Sequence, residues 1–172
     1  MKIISRLAMS ADGYVTTPAG WPAQTADPVF KPGVSHGIPE FLEDKEAAVM
    51  GAKTFALAEG GTWPWPKLDV FVLGAERPGW TPDDVVYDAD PEALLERVRA
   101  SNRGGDVHLI GGPTTIQTFL QLGALDELQL VVMPILLGDG LRLTPALDLA
   151  TGLRFASSRP VEGGSVEIVY EV

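Results

Sequence analysis

The stretch Leu109-Ile110-Gly111-Gly112-Pro113-Thr114-Thr115, LIGGPTT, ends an apolar run abruptly in two glycines, a proline and two hydroxyls. Two readings fit it. One is a strand-to-helix turn that needs glycine for its geometry alone. The other is a backbone cradle: glycine has no Cβ, and a helix starting at Pro113 presents free amides and a partial positive charge suited to phosphate. Asp106 to Ile110 supplies the strand before it. Ile116, Phe119, Leu120 and Leu122 supply one face of the helix after it, which Gly123 closes.

The same punctuation recurs along the chain. Residues 2–9 read as a first strand, followed by Ser10-Ala11-Asp12-Gly13 and a long irregular segment, 10–35, rich in proline and glycine. A loop of that length is usually functional or disordered. Residues 38–46 read as a short helix and 47–50 as a buried strand ending at Gly51. Lys53 to Glu59 reads as another short helix, and GGTWPWP, 60–66, as a loop. Asp69 to Leu73 is a strand that stops at Gly74, and Val85 to Tyr87 is a shorter one. Asp90-Pro91-Glu92 opens a helix with an N-cap aspartate, a first-position proline and a first-turn acid. Glu127 to Pro134 is a further strand, and 153–160 with 165–171 form a hairpin around Gly163-Gly164. Strands alternating with helices and ending in a hairpin predict one α/β domain over 1–172, its central sheet mostly parallel with an antiparallel edge.

Composition narrows the function classes. The 172 residues are 45% hydrophobic and 21% charged, with no cysteine, so disulfides, thiolate metal sites and cysteine nucleophiles are excluded. A net charge of −10 argues against nucleic-acid partners. No apolar run is long enough for a membrane helix, and the N-terminus lacks a secretory signal, so a cytoplasmic location is expected. No HExxH, GxSxG or P-loop pattern is present, and no metal-ligand spacing. His36 reads as solvated and His108 as a strand side chain.

In open α/β sheets ligands bind where parallel strands end. At those ends stand Asp12 and Gly13, Gly51 with Lys53 and Thr54, Leu73 and Gly74 with Arg77, and Gly111 to Thr115. Lys53 can pair with a phosphate and Thr54 can hydrogen-bond one, or they are a solvated lysine and a helix-start threonine. Asp12 can be a turn residue, or its turn can shape a loop over a ligand. Trp21, Trp63 and Trp65, flanked by prolines, either cover a core edge or wall a pocket for a flat ring.

Taken in order, MSADGYV (9–15), VMGAKTF (49–55), DVFVLGAERP (69–78), residues 106–143 and VEIVYEV (166–172) resemble the dihydrofolate-reductase-like proteins. The nearest branch is the reductase domain of bifunctional riboflavin-biosynthesis proteins. The combination of a glycine pair opening a helix, GALDEL and P-x-L-L-G-x-G is the most specific part. The resemblance implies a three-layer α/β fold and an NADPH-dependent reductase acting on a small pterin- or riboflavin-precursor-like heterocycle, commonly as a homodimer. It implies that Gly111, Gly112, Pro113, Thr114 and Thr115 cradle the cofactor pyrophosphate. Gly51, Lys53 and Thr54 face the phosphates from the other side, and Leu73, Gly74 and Arg77 lie near the adenosine ribose. The loop of Asp12 and Gly13 borders the nicotinamide.

The chain departs from the pattern in two places. Lysine or alanine stands where the family usually has arginine at 52–53, and Glu76 precedes Arg77. NADH or a deazaflavin therefore stays open as hydride donor, as does a catalytically silent nucleotide-binding or assembly protein that keeps the fold. On the substrate side, Asp27 is the candidate acid, with Trp21 and Glu40 as candidate contacts and Glu43 as an alternative to Glu40. The segment 10–35 offers only Lys31 for a substrate phosphate, and no His-x-Glu with Cys-x-x-Cys deaminase motif is present.

Overall fold

A computed structural model of the chain describes residues 1–61, 63–144 and 150–172. Thr62, within the expected 60–66 loop, lies outside the described residues. The strands are β1 (Ile3–Ser10), β2 (Lys45–Gly51), β3 (Asp69–Leu73), β4 (Val86–Asp88), β5 (Asp106–Gly111), β6 (Glu127–Met133), β7 (Arg154–Pro160) and β8 (Val166–Glu171). The helices are α1 (Ile38–Leu42), α2 (Ala52–Phe55), α3 (Pro91–Ser101) and α4 (Pro113–Gln121). One eight-stranded sheet runs in the order β4-β3-β2-β5-β1-β6-β8-β7. The strands from β4 to β6 pair in parallel, and β8 pairs antiparallel with both β6 and β7. The expected α/β class, mostly parallel sheet and antiparallel edge hairpin are all present.

Alternation along the buried strands builds two layers. Ile3, Ala47, Val49, Phe71, Val107 and Leu109 face one side, where Leu94, Leu95 and Val98 of α3 and Ile116 and Phe119 of α4 cover them. Ala48, Met50, Val70 and Val72 face the other, under Phe55 of α2. Each such fully buried aliphatic or aromatic side chain contributes about 1.5–3 kcal/mol of transfer free energy. Phe55 stacks on Trp80 at 4.8 Å, and Trp63 and Trp65 close around it, so these two tryptophans cover the core edge. β7 is exposed along its whole length.

Helix α3 starts as its sequence dictates. The Asp90 carboxylate accepts from the amides of Glu92 and Ala93 at 2.9 and 3.3 Å, and Pro91 fills the position that needs no donor. Two expected helices are shorter than their patterns. α1 ends at Leu42, because the chain from Lys45 is drawn into β2: Lys45 pairs with Asp106, and Glu46, at an irregularity in the ladder, accepts from the Arg103 and Gly105 amides. The expected helix 53–59 is one α-turn, Ala52–Phe55, continued by a 3-10 turn over Ala56–Ala58.

His108 is a strand side chain, as expected, and it is buried. It lies edge-on to Phe41 at 4.7 Å, and its Nε2 donates to the Arg6 carbonyl at 3.4 Å. Burial, with the nearby charges of Arg6 and Lys45, holds its imidazole down to about 3 from 6.5. The folded state therefore needs the neutral ring. The stability this contributes is complete above pH 6.5 and is lost as pH falls toward 3. Between pH 7 and 5 the wild type should lose about 2 kcal/mol more than His108→Gln. Urea unfolding at the two pH values checks this; parallel losses in both proteins would rule it out.

Candidate functional site

The parallel strands end side by side, and their glycines meet there. Gly51 pairs with Leu73 across β2 and β3, and Met50 pairs with Gly111 across β2 and β5. A Cβ added at Gly51 would stand 2.5 Å from the Thr115 hydroxyl oxygen, and one at Gly74 would stand 2.8 Å from the Ala52 Cβ. Gly111 has φ +108, in the region only glycine adopts readily, and its peptide to Gly112 is cis. Gly112 caps α4 without any side-chain hydrogen bond, so the first amides of this nine-residue helix are left without a side-chain acceptor. A Cβ at Gly112 would meet only Thr54 Oγ1, at 3.5 Å. The fold thus brings Gly51, Thr54, Gly111, Gly112, Pro113 and Thr115 together. Thr114 and Lys53 are exposed beside them, and Leu73 and Gly74 continue the same line.

Arg77 follows β3 but turns onto its own loop, where its terminal nitrogens donate to the carbonyls of Val85 and Pro82 at 2.9 and 2.6 Å. Asp12 is also engaged within the chain. Its carboxylate accepts from the amides of Leu137 and Gly138 at 3.1 and 2.8 Å. Hydrogen bonds from the Ser10 side chain and these amides pull its pKa down to about 2. It pins the 137–141 turn to the loop after β1, and Thr16 Oγ1 adds a bond from the Leu141 amide at 2.8 Å.

The substrate-side candidates separate. Glu40 is exposed on α1 and lines a cavity of about 390 Å³ with Lys2, Asp44, Lys45 and Asp106, at the strands' amino ends. That is the wrong end of the sheet for a partner of the glycine cluster, and Glu43 lies on the same short helix end. Trp21 is 54% exposed in the loop after β1. Asp27 is buried with both oxygens engaged: Oδ1 accepts from the Val29 amide at 3.0 Å, and Oδ2 lies 3.0 Å from His36 Nε2. His36, expected to be solvated, is only 3% exposed. Its Nδ1 meets Ser35 Oγ at 3.1 Å, its amide donates to Glu162 at 2.9 Å, and its carbonyl accepts from Arg6.

Arg6 in turn pairs with Glu167 at 2.8 Å, and Arg159 reaches the same carboxylate. Burial works to raise the Glu167 pKa, but hydrogen bonds from Arg159 and Arg6 outweigh it, and the carboxyl lies below its ordinary range. This polar chain fastens the irregular 27–36 segment, with Asp27 in it, to β1 and β8. Nothing local in the sequence pairs these groups: Arg6 and Glu167 are 161 residues apart, and Asp27 and His36 meet across an irregular segment with no repeating pattern. Among the described residues no three acids or histidines are grouped to hold a metal, and no helix is long and apolar enough to cross a membrane.

Two outcomes follow from these contacts. Asp12→Ala should release the 137–141 turn, with faster amide exchange at Leu137 and Gly138 at neutral pH. In the wild type the carboxylate's contribution is present above 3.8 and disappears only as pH falls through about 2. Unchanged exchange at both amides would refute the tether. Glu167→Ala leaves the buried Arg6 without its anion and should cost about 3–5 kcal/mol in chemical unfolding; a loss under about 1 kcal/mol would show the pair to be dispensable.

Residues 1–166 match the RibD C-terminal domain. The uncharacterized protein YyaP of Bacillus subtilis (strain 168) is 27% identical over 184 aligned positions, covering 98% of this chain and 94% of its own. A candidate riboflavin biosynthesis protein from Shewanella sp. PV-4 superposes with a TM-score of 0.82 at 26% identity, covering 99% of this chain and 98% of its own. The Thermotoga maritima diaminohydroxyphosphoribosylaminopyrimidine deaminase/5-amino-6-(5-phosphoribosylamino)uracil reductase shares the fold, with a TM-score of 0.72 at 14% identity. The alignment covers 99% of this chain and 56% of that one. The family match supports a reductase-like function, and the solved structures share the dihydrofolate-reductase-like fold. With the match running through residues 1–166, the chain belongs to the RibD C-terminal domain family.

Proposed function

We propose that residues 1–172 form one reductase domain that uses NADPH to reduce a small heterocycle of the pterin or riboflavin-precursor type. The observation that carries this reading is the glycine cluster at the start of α4. A dinucleotide pyrophosphate fits the residues present. The space beside Gly112 is bounded only by Thr54 Oγ1 at 3.5 Å, so a Cβ there would fill it. The start of α4 has no side-chain cap to compete for its amides. In this reading the amides and hydroxyls of Thr114 and Thr115 hold the phosphates, with Thr54 and the Lys53 ammonium opposite. Leu73 and Gly74 border the ribose, and the loop of Asp12 and Gly13 borders the reacting ring. When bound, the dinucleotide supplies a hydride.

The protein's own task is then to hold two flat rings face to face and keep water out. Asp12, through Leu137 and Gly138, sets the loop after β1 against the 137–141 turn. Asp27 and His36 hold the segment beyond it closed on the sheet. Trp21 remains exposed on that segment, as a contact for the substrate ring. The Arg77 bonds to two carbonyls weaken its claim to a ribose phosphate, so NADH and a deazaflavin belong in the same titration. A cytoplasmic homodimer completes the proposal, with the fully exposed β7, its Phe155 and the neighbouring Val166 as the surface for a second copy.

The reading is tested by titrating NADPH, NADH and a deazaflavin against tryptophan fluorescence and melting temperature. NADPH is expected to quench and to stabilise. Gly112→Val should abolish that response yet fold normally, because φ −75 at this position suits valine and its Cβ meets no close atom. No response of the wild type to any of the three, or an undiminished response in folded Gly112→Val, would sink the proposal.

A further inference from the structure

The chain has eight arginines, and seven are engaged by acids or carbonyls. Arg6, Arg97, Arg99, Arg103, Arg154 and Arg159 each pair with a carboxylate. Arg77 donates to two carbonyls. Arg142 has no carboxylate partner among the described residues. Its guanidinium instead lies over the Tyr14 ring, 4.7 Å from the centroid.

That placement is built by the backbone. Tyr14 and Arg142 form an isolated antiparallel bridge, with the Val15 amide on the Leu141 carbonyl at 2.8 Å and the Leu141 amide on Thr16 Oγ1 at 2.8 Å. Gly13, at φ +89, leaves room for the side chain: a Cβ there would stand 3.1 Å from Arg142 Nη1. Tyr14 is itself anchored through its amide to Ser10 Oγ, in the last residue of β1, at 2.9 Å. β1 lies between β5 and β6 in the sheet, so this arginine hangs at the carboxyl end of the strand next to the one that ends in Gly111.

The geometry points to Arg142 as a specificity-determining residue that holds an anionic group, a phosphate or a carboxylate, on the substrate heterocycle. This rests on the reductase reading, in which the cofactor phosphates lie at the ends of β2 and β5 and the reacting ring at the loop after β1. A chain of net charge −10 offers an anion no general attraction, so recognition must be local. A guanidinium stacked on an aromatic ring loses less freedom on binding than a free one, and it presents a planar fork suited to an oxyanion. The only cation in the loop 10–35 is Lys31, so the substrate-side charge comes from a segment remote in sequence.

The test uses two matched pairs of ligands, each with and without NADPH: dihydrofolate against dihydropterin, and 5-amino-6-ribosylaminouracil 5′-phosphate against its nucleoside. Binding is followed by calorimetry. The wild type should favour the charged member of one pair by about tenfold or more, and which pair it is separates carboxylate from phosphate. Arg142→Gln should bring that ratio close to one, Arg142→Lys should keep part of it, and NADPH affinity and melting temperature should stay as in the wild type. The assignment is overturned if the wild type shows no such preference, if Arg142→Gln retains it, or if that variant weakens NADPH instead. A charge preference in a protein that ignores NADPH would uphold Arg142 and overturn the reductase reading; NADPH binding without a charge preference would do the reverse.

Discussion

α4 can pack against the end of β2, and the start of α2 against the end of β3, only because no side chain projects from Gly51 or Gly74. A methyl at Gly51 would reach within 2.5 Å of Thr115 Oγ1, and one at Gly74 within 2.8 Å of the Ala52 Cβ. Contacts that close do not occur in packed proteins, so the sheet's carboxyl edge depends on these positions staying bare. The same bareness leaves the start of α4 uncapped and open. Packing and binding surface are thus two results of one constraint. The glycines that let strands and helices close up also leave backbone amides facing the space beyond, beside the Thr54 hydroxyl.

Around that edge the irregular parts of the chain are held by charge as well as by the apolar burial of Val15 and Ala23. Asp12 fastens one turn to another through two amides. The Asp27–His36 contact, the Arg6–Glu167 ion pair and Arg159 fasten the 27–36 segment across β1 and β8. Buried ionic groups of this kind add little net stability over apolar packing, but they tolerate only one arrangement, because each partner left alone is costly. A segment with few regular hydrogen bonds is given a single position in this way. Arg142 follows a different rule: an aromatic face and a backbone bridge orient it, and it has no carboxylate partner among the described residues.

The division between one-dimensional and three-dimensional information follows from which contacts are local. Strand and helix order, the hairpin at the carboxyl end and the start of α3 are local matters of alternation, capping and turn chemistry, and all were legible in the residues themselves. The length of α1 was not, because Lys45 pairs with Asp106 in the sheet and Glu46 bonds the amides of Arg103 and Gly105, partners remote in sequence. The glycines at 51, 74, 111 and 112 were legible as a recurring pattern at strand ends, and the order of motifs around them was enough to identify the family resemblance.

By itself, then, the sequence determined the fold class and the line of small residues that marks where a ligand approaches the sheet, because periodicity and absent side chains are properties of single positions. Only the tertiary structure decided what the polar residues do. It moved Glu40 to the opposite end of the strands, buried His36 against Asp27, turned Asp12 inward to two amides and carried Arg142 to the ring of Tyr14. Charged and hydrogen-bonding groups act on partners chosen by distance in space, and the chain brings those partners from segments that no local pattern connects.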